Sequence, residues 1–255
     1  DWSSDVCSSD LIAACAPNVE RYRMTETDIL ACAEKARDFG FGTVVMQAGE
    51  DPGITGPWMA DVIRTIKERT GLAITLSLGE RPVEDLRMWR EAGADRYLLR
   101  FETSDEDLYR RIHPSLPGTP SDRLTQLLTM RELGYEVGTG VMVGIPGQTW
   151  ETLANDIWMF KDYDMDMIGI GPYLPSPGTP LDGPLGEMLM VEAGADQVPN
   201  DPTTVLKVVA LTRLVCPETN IPSTTALATL DPESGRVNGL LRGASTTESR
   251  TSSFR

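Results

Sequence analysis

Arg100 and Glu102 stand two residues apart at the end of an otherwise apolar run, AGADRYLLRFET, at 92–103. Side chains alternate between the two faces of a strand, so Leu98, Arg100 and Glu102 are expected on the same side. A guanidinium group can grip a carboxylate through two hydrogen bonds, and a carboxylate can accept hydrogen bonds from an ammonium group. The two residues therefore either neutralise each other as an internal ion pair or bind a ligand that carries both charges.

Polar or glycine residues also follow the other predicted strands. These strand ends lie at 47–51, 77–80, 142–144, 169–171 and 224–225. In the first of them Gly49 exposes backbone beside Glu50, where a ligand ammonium group can approach closely. Strand ends of a parallel barrel converge on one mouth, so we expect these groups to surround one ligand. An amino-acid zwitterion or a sulfonium cofactor has the matching charges.

Helix-like and strand-like stretches alternate along the chain. Apolar periodicity predicts helices at 26–39, 57–69, 83–92, 121–133, 150–161 and 203–215. Strands are predicted at 43–47, 73–78, 96–101, 136–143, 166–171 and 221–226, and surface loops at 114–120 and 187–201. This alternation favours parallel strands, either in a doubly wound sheet or in a (β/α)8 barrel. We predict an α/β (β/α)8 TIM barrel, incomplete at both ends, because the polar strand ends are not gathered at one switch point.

Composition excludes several classes of protein. The chain has 255 residues, of which 40% are hydrophobic, enough for one large α/β domain. Its net charge of −15 argues against nucleic acid or an anionic membrane as a partner. The sequence has no run long enough to span a bilayer and no legible signal peptide. Its four cysteines contain no C-x-x-C pair, which suits a cytoplasmic location.

The two ends of the sequence do not continue its pattern. Residues 1–11, DWSSDVCSSDL, have no apolar period and match the conceptual translation of a sequencing-library adapter, so we expect an artefact. A native, disordered Ser/Asp-rich start is the alternative. Residues 245–255 are polar and aperiodic, and we expect either a disordered tail or a frame-shifted end. The barrel is expected within residues 12–244.

Several kinds of barrel chemistry can be weighed from the residues alone. All four lysines lie within predicted helices, which disfavours a Schiff-base aldolase: Lys35, Lys67, Lys161 and Lys207. The segment GTGVMVGIPG at 138–147 does not have the G-x-G-x-x-G spacing of a dinucleotide loop. Glu50, Glu80 and Glu102 at strand ends could bind Mg²⁺ or act as acid and base. A carboxylate-dependent barrel lyase or hydrolase therefore stays an alternative.

Eight motifs together carry a family resemblance. They are NVERYRM (18–24), MQAGEDP (46–52), ITLSLGER (74–81), EAGADRYLLRFET (91–103), MVGIPGQT (142–149), DMIGIGPYLPSPGTPL (166–181), VALTR (209–213) and NIPSTTALATLDP (220–232). In combination they resemble the radical S-adenosylmethionine enzymes, and among these the HydE family of [FeFe]-hydrogenase maturases. That family is related to biotin synthase and methylornithine synthase. The resemblance covers nearly all of residues 16–244.

The resemblance implies a barrel that holds a [4Fe–4S] cluster and S-adenosylmethionine at its mouth. In this family the cluster reduces the sulfonium to a 5′-deoxyadenosyl radical, which acts on a small cysteine-bound iron carbonyl-cyanide complex. The implied partners are this organometallic substrate and the other hydrogenase maturases, with no nucleic acid and no membrane. Methylornithine synthase is the first alternative and biotin synthase the second, and the motifs LSLGER and IPSTTALATLDP favour HydE.

By position, the resemblance assigns six residues to cofactor binding: Gly49, Glu50, Arg100, Glu102, Arg123 and Met142. The first two correspond to the loop for the cofactor amine. The two arginines and the second glutamate fall where the methionyl and ribose parts are held, and the methionine lies on a strand that lines the cofactor. Three residues are assigned to the substrate cavity: Ser77, Thr224 and Thr225. The resemblance assigns no catalytic side chain.

The sequence departs from the family pattern in two places. Phe101 replaces the usual histidine, although by alternation it faces away from the charged pair. The C-x-x-x-C-x-x-C cluster ligands, expected just before residue 18, are absent, and Cys15 lies too late to be the third of them. A lone cysteine cannot hold a cluster that needs three thiolates, so no metal ligand is assigned and this chain is expected to be inactive. Cys32 and Cys216 are expected to be packing residues. A non-catalytic binding protein would also fit this loss.

Overall fold

The computed structural model describes residues 22–112, 121–175 and 180–247. Within these ranges helices and strands alternate. The elements are α1 (Glu26–Asp38), β1 (Thr43–Gln47), α2 (Gly56–Thr70), β2 (Ala73–Ser77), α3 (Val83–Ala92), β3 (Arg96–Leu98), α4 (Glu106–Ile112), α5 (Arg123–Glu132), β4 (Glu136–Val143), α6 (Trp150–Asp162), β5 (Met167–Pro172), α7 (Pro184–Ala193), α8 (Pro202–Val215), β6 (Pro222–Ser223), α9 (Thr225–Leu230), α10 (Gly235–Leu241) and β7 (Thr246–Thr247). The expected adapter at 1–11, Cys15, the expected loop at 114–120 and residues 248–255 lie outside the described residues.

The described residues divide into two compact units. The N-terminal unit contains residues 22–99 and 121–138, and the C-terminal unit contains residues 100–112, 139–175 and 180–247. Strand β4 begins in the first unit and ends in the second.

The N-terminal unit is built from parallel strands that pair in chain order. Strand β1 pairs with β2 from Thr43↔Ala73 to Gln47↔Ser77, and β2 pairs with β3 through Leu76↔Tyr97. Strand β3 then pairs with the beginning of β4. In parallel pairs all strands end at the same edge, so the turns after β1 and β2 lie side by side. The polar strand ends at 47–51 and 77–80, which the sequence analysis identified, lie at this edge.

Buried aromatic side chains fix the turn that follows β2. Trp89 on α3 and Tyr97 on β3 are fully buried, and their rings stack with centroids 6.5 Å apart. The indole N–H of Trp89 donates to the carbonyl oxygen of Gly56, and the hydroxyl of Tyr97 donates to that of Gly79, both at 2.9 Å. Burying each such ring contributes about 2–3 kcal/mol. Because the polar tips are also satisfied, these rings set the position of the β2 turn.

The C-terminal unit continues the parallel order. Strand β5 pairs with β6 through Ile170↔Ser223, and β6 pairs with β7, the short strand inside the expected tail. The backbone N–H of Tyr173, just after β5, donates to the carbonyl oxygen of Val143 at the end of β4, at 2.8 Å. Seven buried apolar side chains form one cluster of this unit: Leu108, Ile112, Met142, Ile145, Tyr173, Leu181 and Leu189.

All six strands predicted from the sequence are present, but two end early. Strand β3 ends at Leu98 rather than at residue 101, and the chain pairs with β4 again only through an isolated bridge between Val141 and Glu102, whose φ is +66°. Strand β6 ends at Ser223 rather than at residue 226, because Thr224 caps helix α9. The expected surface loop at 187–201 was wrong in its first half, which belongs to α7. Helices α4, α9 and α10 were not predicted.

Among the described residues, no helix is both long enough and apolar enough to cross a membrane.

Candidate functional site

In the N-terminal unit, Arg123 joins two carboxylates, and we call Glu50, Glu80 and Arg123 the Glu50 cluster. The Nη2 atom of Arg123 lies 3.3 Å from an oxygen of Glu50, and its Nε atom lies 3.2 Å from an oxygen of Glu80. The side chains are 11%, 20% and 11% exposed for Arg123, Glu50 and Glu80. Ser121 and the backbone N–H of Asp122 also donate to Glu80. The structure thus brings together two of the predicted cofactor-binding residues, Glu50 and Arg123.

The backbone of the β2 turn orients the Glu50 carboxylate. The N–H of Glu80 donates to both oxygens of Glu50, at 3.1 and 3.0 Å. Burial raises the pKa of Glu50, and the negative charge of Glu80 acts in the same direction, whereas Arg123 and the Glu80 N–H lower it. Two carboxylates share one guanidinium group, so the cluster keeps an excess of negative charge when ionised. Such a site suits a ligand that brings a positive charge.

Gly79 makes the close packing of Glu50 against the β2 turn possible. Its φ is +76°, and a Cβ atom at this position would collide with the Glu50 carboxylate. We expect Gly79→Ala to lower the free energy of unfolding by about 2–4 kcal/mol, of which about 1–2 kcal/mol is the cost of the left-handed conformation. Urea unfolding measures the loss.

Gly40→Ala is a matched control for this change. Gly40 has a φ of +79°, and nothing lies within 4 Å of an added Cβ atom. Its substitution should therefore cost only the conformational part, about 1–2 kcal/mol. Equal losses in the two variants would show that Gly79 is not needed for the Glu50 contact.

A buried arginine ties the loop after β1 to the turn after β2. Arg81 is 8% exposed, and its guanidinium group donates to the carbonyl oxygens of Asp51, Ile54 and Leu78 at 2.8, 3.0 and 3.0 Å. It also lies 5.5 Å from the ring centroid of Trp89. The loop that carries Gly49 and Glu50 is therefore anchored on both sides.

Two further predicted positions lie at this edge of the N-terminal unit. Ser77 is the last residue of β2, and its carbonyl oxygen accepts the N–H of Ala48 at 2.9 Å. Gly49 follows in the same loop and is half-buried. Both therefore lie where the sequence analysis expected them, at the ends of neighbouring strands.

In the C-terminal unit Arg100 and Glu102 form an internal ion pair, one of the two alternatives that their spacing left open. The Nε atom of Arg100 lies 3.2 Å from a carboxylate oxygen of Glu102, and the side chains are 16% and 5% exposed. Arg100 also donates to the carbonyl oxygen of Val141 at 2.6 Å. The N–H of Glu102 donates to the carbonyl oxygen of Gly140 at 3.0 Å. The pair is thus fixed against the end of β4.

The remaining predicted site residues of this unit, Met142, Thr224 and Thr225, do not belong to the Arg100–Glu102 ion pair. The side chain of Met142 is 7% exposed and packs in the apolar cluster of the unit. The hydroxyl of Thr224 donates to the carbonyl oxygen of Ile170 at 3.0 Å and accepts the N–H of Leu227 at 3.4 Å as the cap of α9. Thr225, the first residue of α9, is half-buried. Within the described residues, Thr224 therefore has a clear structural role.

The acidic and cysteine side chains of the chain bear on whether it can bind a metal ion. In the ranges that the structure describes, no group of three or more His, Cys, Asp or Glu side chains could hold a metal ion. The cysteines within these ranges are Cys32, which is half-buried on α1, and Cys216, which is buried at the end of α8. They do not provide the three thiolates that a [4Fe–4S] cluster needs.

Sequence reasoning did not predict the structural roles of three polar residues: Glu80, Gln148 and Asp156. Glu80 was considered as a ligand for Mg²⁺ or as an acid or base, whereas it holds Arg123. Gln148 and Asp156 are fully buried in the C-terminal unit. Helical spacing could have revealed Asp156, because it lies on the same face of α6 as Leu153 and Phe160.

Comparisons with known proteins agree with this fold. The sequence model of the Radical SAM superfamily matches residues 7–157 of this chain. The [FeFe] hydrogenase maturase subunit HydE of Thermotoga maritima is 46% identical over 227 residues, which are 89% of this chain and 60% of that protein. The 3-methylornithine synthase of Methanosarcina acetivorans is 28% identical over 234 residues, 90% of this chain and 61% of that protein.

A crystal structure of methylornithine synthase (PylB) has a TM-score of 0.78 at 27% identity and covers 94% of this chain and 66% of that one. The chain spans about 60% of the length of the curated relatives that it matches. The likeness confirms the predicted TIM-barrel class of the radical SAM type. The chain belongs to the Radical SAM superfamily.

Proposed function

We propose that this protein is a radical S-adenosylmethionine enzyme of the HydE kind, which acts in the assembly of the diiron site of [FeFe]-hydrogenase. Its substrate is a cysteine-bound iron carbonyl-cyanide precursor, and its partners are the other hydrogenase maturases. The observation that supports this most is the 46% identity to HydE of Thermotoga maritima over 89% of the chain. The identity to 3-methylornithine synthase over a similar length is 28%.

The donor set of the chain fits S-adenosylmethionine. Its carboxylate suits an arginine fork, and its ammonium group and ribose hydroxyls suit carboxylates. Arg100 and Glu102 at the end of β3 and Glu50 and Arg123 in the Glu50 cluster supply both kinds of group. When bound and reductively cleaved, S-adenosylmethionine supplies a 5′-deoxyadenosyl radical. The role of these side chains is to bind and orient the cofactor.

The [4Fe–4S] cluster is expected of the family, but the cysteines of the described residues do not fit it. Binding of S-adenosylmethionine by the side chains can be measured on this chain directly.

We expect the purified chain to bind S-adenosylmethionine, and Glu102→Gln to weaken binding about 10- to 100-fold. The variant loses a hydrogen bond to a charged group, which contributes about 1.5–3 kcal/mol. Isothermal titration calorimetry measures both dissociation constants. Glu136→Gln is the matched control. Glu136 is the first residue of β4, pairs with Arg96 of β3 and has a side chain that is 57% exposed, so the same change there should not alter binding. Absence of binding by the wild type, or equal binding by both variants, would contradict the proposal.

Methylornithine synthase is the second candidate because its solved structure has the TM-score of 0.78. Competition between a cysteine-bound iron carbonyl-cyanide complex and 3-methylornithine for the chain loaded with S-adenosylmethionine separates the two. HydE-like function requires that the iron complex binds more tightly.

A further inference from the structure

A buried polar network in the C-terminal unit connects helix α6 with the ends of two other segments. Asp156 on α6 and Gln148 before α6 are both fully buried. The backbone N–H of Ser104 donates to one carboxylate oxygen of Asp156 at 2.6 Å. The side-chain amide of Gln148 approaches the other oxygen at 3.5 Å. One carboxyl group thus contacts the segment after β3 and the segment after β4.

The hydrogen bonds of Gln148 fix the orientation of its amide group. Its Oε1 atom accepts the N–H of Gly144 at 2.7 Å, and its Nε2 atom donates to the carbonyl oxygen of Met142 at 3.0 Å. Exchanging the two ends would place N–H against N–H and oxygen against oxygen. The amide therefore turns its second N–H towards Asp156, whose ionised form accepts it.

The segment on the other side of Asp156 contains a strained turn. Glu102 has a φ of +66°, and the N–H of Thr103 donates to the carbonyl oxygen of Phe101 at 2.8 Å. This is the rarer form of the γ-turn, which stores backbone strain. A strained conformation persists only when its surroundings hold it. The next backbone donor along the chain is the N–H of Ser104, and its acceptor is Asp156.

We propose that Asp156 is a positioning residue for cofactor binding. Through Ser104 it holds the strained turn that orients Glu102, and through Gln148 it holds the end of β4 at Met142 and Gly144. This inference rests on the proposed function, since Glu102 is a proposed cofactor residue and the end of β4 holds its partner Arg100. The buried carboxylate of Asp156 thereby keeps the segment after β3 and the end of β4 in one arrangement.

The electrostatic surroundings make this positioning sensitive to pH. Burial raises the pKa of Asp156 to about 7, while hydrogen bonds from Ser104 and Gln148 lower it and the nearby Asp105 raises it. Protonation turns an acceptor towards Gln148 into a donor, which weakens that contact. The ionised form should therefore bind S-adenosylmethionine better. If only this form binds, affinity rises about tenfold between about pH 6 and about pH 8.

Asp156→Asn tests the inference, because it keeps the size of the side chain and mimics the protonated form. We expect the wild type to gain affinity for S-adenosylmethionine about tenfold over that pH range and the variant to gain much less. Calorimetric titration at each pH gives the ratio of the two dissociation constants. Burial also raises the pKa of Glu50, but Glu50 is present in both proteins, so its contribution cancels in this ratio. Asp162→Asn, the same change on the exposed end of α6, should keep the wild-type profile.

A second measurement separates this inference from the proposed function. Hydrogen exchange read by mass spectrometry should speed up at 102–104 and 142–144 in Asp156→Ala, but not in Asp162→Ala. If the wild type does not bind S-adenosylmethionine, the proposed function fails, and the exchange data alone decide whether Asp156 positions these segments. Unchanged exchange, or a wild-type pH profile in Asp156→Asn, would overturn the inference.

Discussion

Arg123→Met is expected to lower the free energy of unfolding by about 3–5 kcal/mol at neutral pH. Without the guanidinium group, Glu50 and Glu80 face each other with only 20% and 11% of their side chains exposed. The pKa of Glu50, which burial raises and Arg123 lowers, then rises further, so the unfolded chain releases a proton that the folded chain retains. The loss should therefore be largest at high pH and shrink as the pH falls through the raised pKa of Glu50. Urea unfolding at several pH values measures this dependence.

Two further variants test the cause of this loss. Combining Arg123→Met with Glu50→Gln and Glu80→Gln removes all the charges, and we expect it to recover much of the stability. Arg64→Met is the surface control, since Arg64 pairs with Asp61 on α2, where the side chains are 51% and 70% exposed. It should cost less than about 1 kcal/mol. A loss in Arg123→Met that does not depend on pH would argue against a shared guanidinium group.

The order of the elements could be predicted from the sequence because each strand and helix has its own period. The ends of strands were harder to predict, since they depend on single residues. Thr224 ends β6 because its hydroxyl caps α9, and a β-branched residue gives no sign of this in a strand-like run. Glu102 ends the extended region through a positive φ, which is uncommon for any residue but glycine.

The candidate site could be predicted in part. Arg100 and Glu102 are close in sequence, so their contact could be expected from their spacing, whereas the end of β3 at Leu98 and the positive φ of Glu102 could not. The link between Glu80 and Arg123 joins residues 43 positions apart and depends on where α5 begins. The role of Met142 shows another limit, since strand alternation does not tell whether a buried thioether faces a ligand or an apolar cluster.

Two of the proposed cofactor residues, Glu50 and Arg100, share one physical feature, which is that backbone groups hold their charged side chains. The N–H of Glu80 orients Glu50, and the carbonyl oxygen of Val141 holds Arg100. Groups fixed before a ligand arrives lose little entropy on binding, so they favour affinity. Buried residues that hold these backbone segments should consequently matter as much as the binding residues.

Arg81→Met is the substitution that tests this argument in the N-terminal unit. It keeps an apolar chain against Trp89 but leaves the carbonyl oxygens of Asp51, Ile54 and Leu78 without their charged donor. We expect a loss of about 3–5 kcal/mol in the free energy of unfolding, because hydrogen bonds to a charged group contribute about 1.5–3 kcal/mol each and are not additive. Thermal and urea unfolding measure it.

The matched control for this change is Arg87→Met, on the exposed side of α3. It should alter the free energy of unfolding by no more than about 0.5 kcal/mol. Because Arg81 anchors the loop of Gly49 and Glu50, its loss should also weaken binding of S-adenosylmethionine, whereas the loss of Arg87 should not. A destabilised Arg81→Met that still binds the cofactor as tightly as the wild type would show that this loop does not need to be held in place.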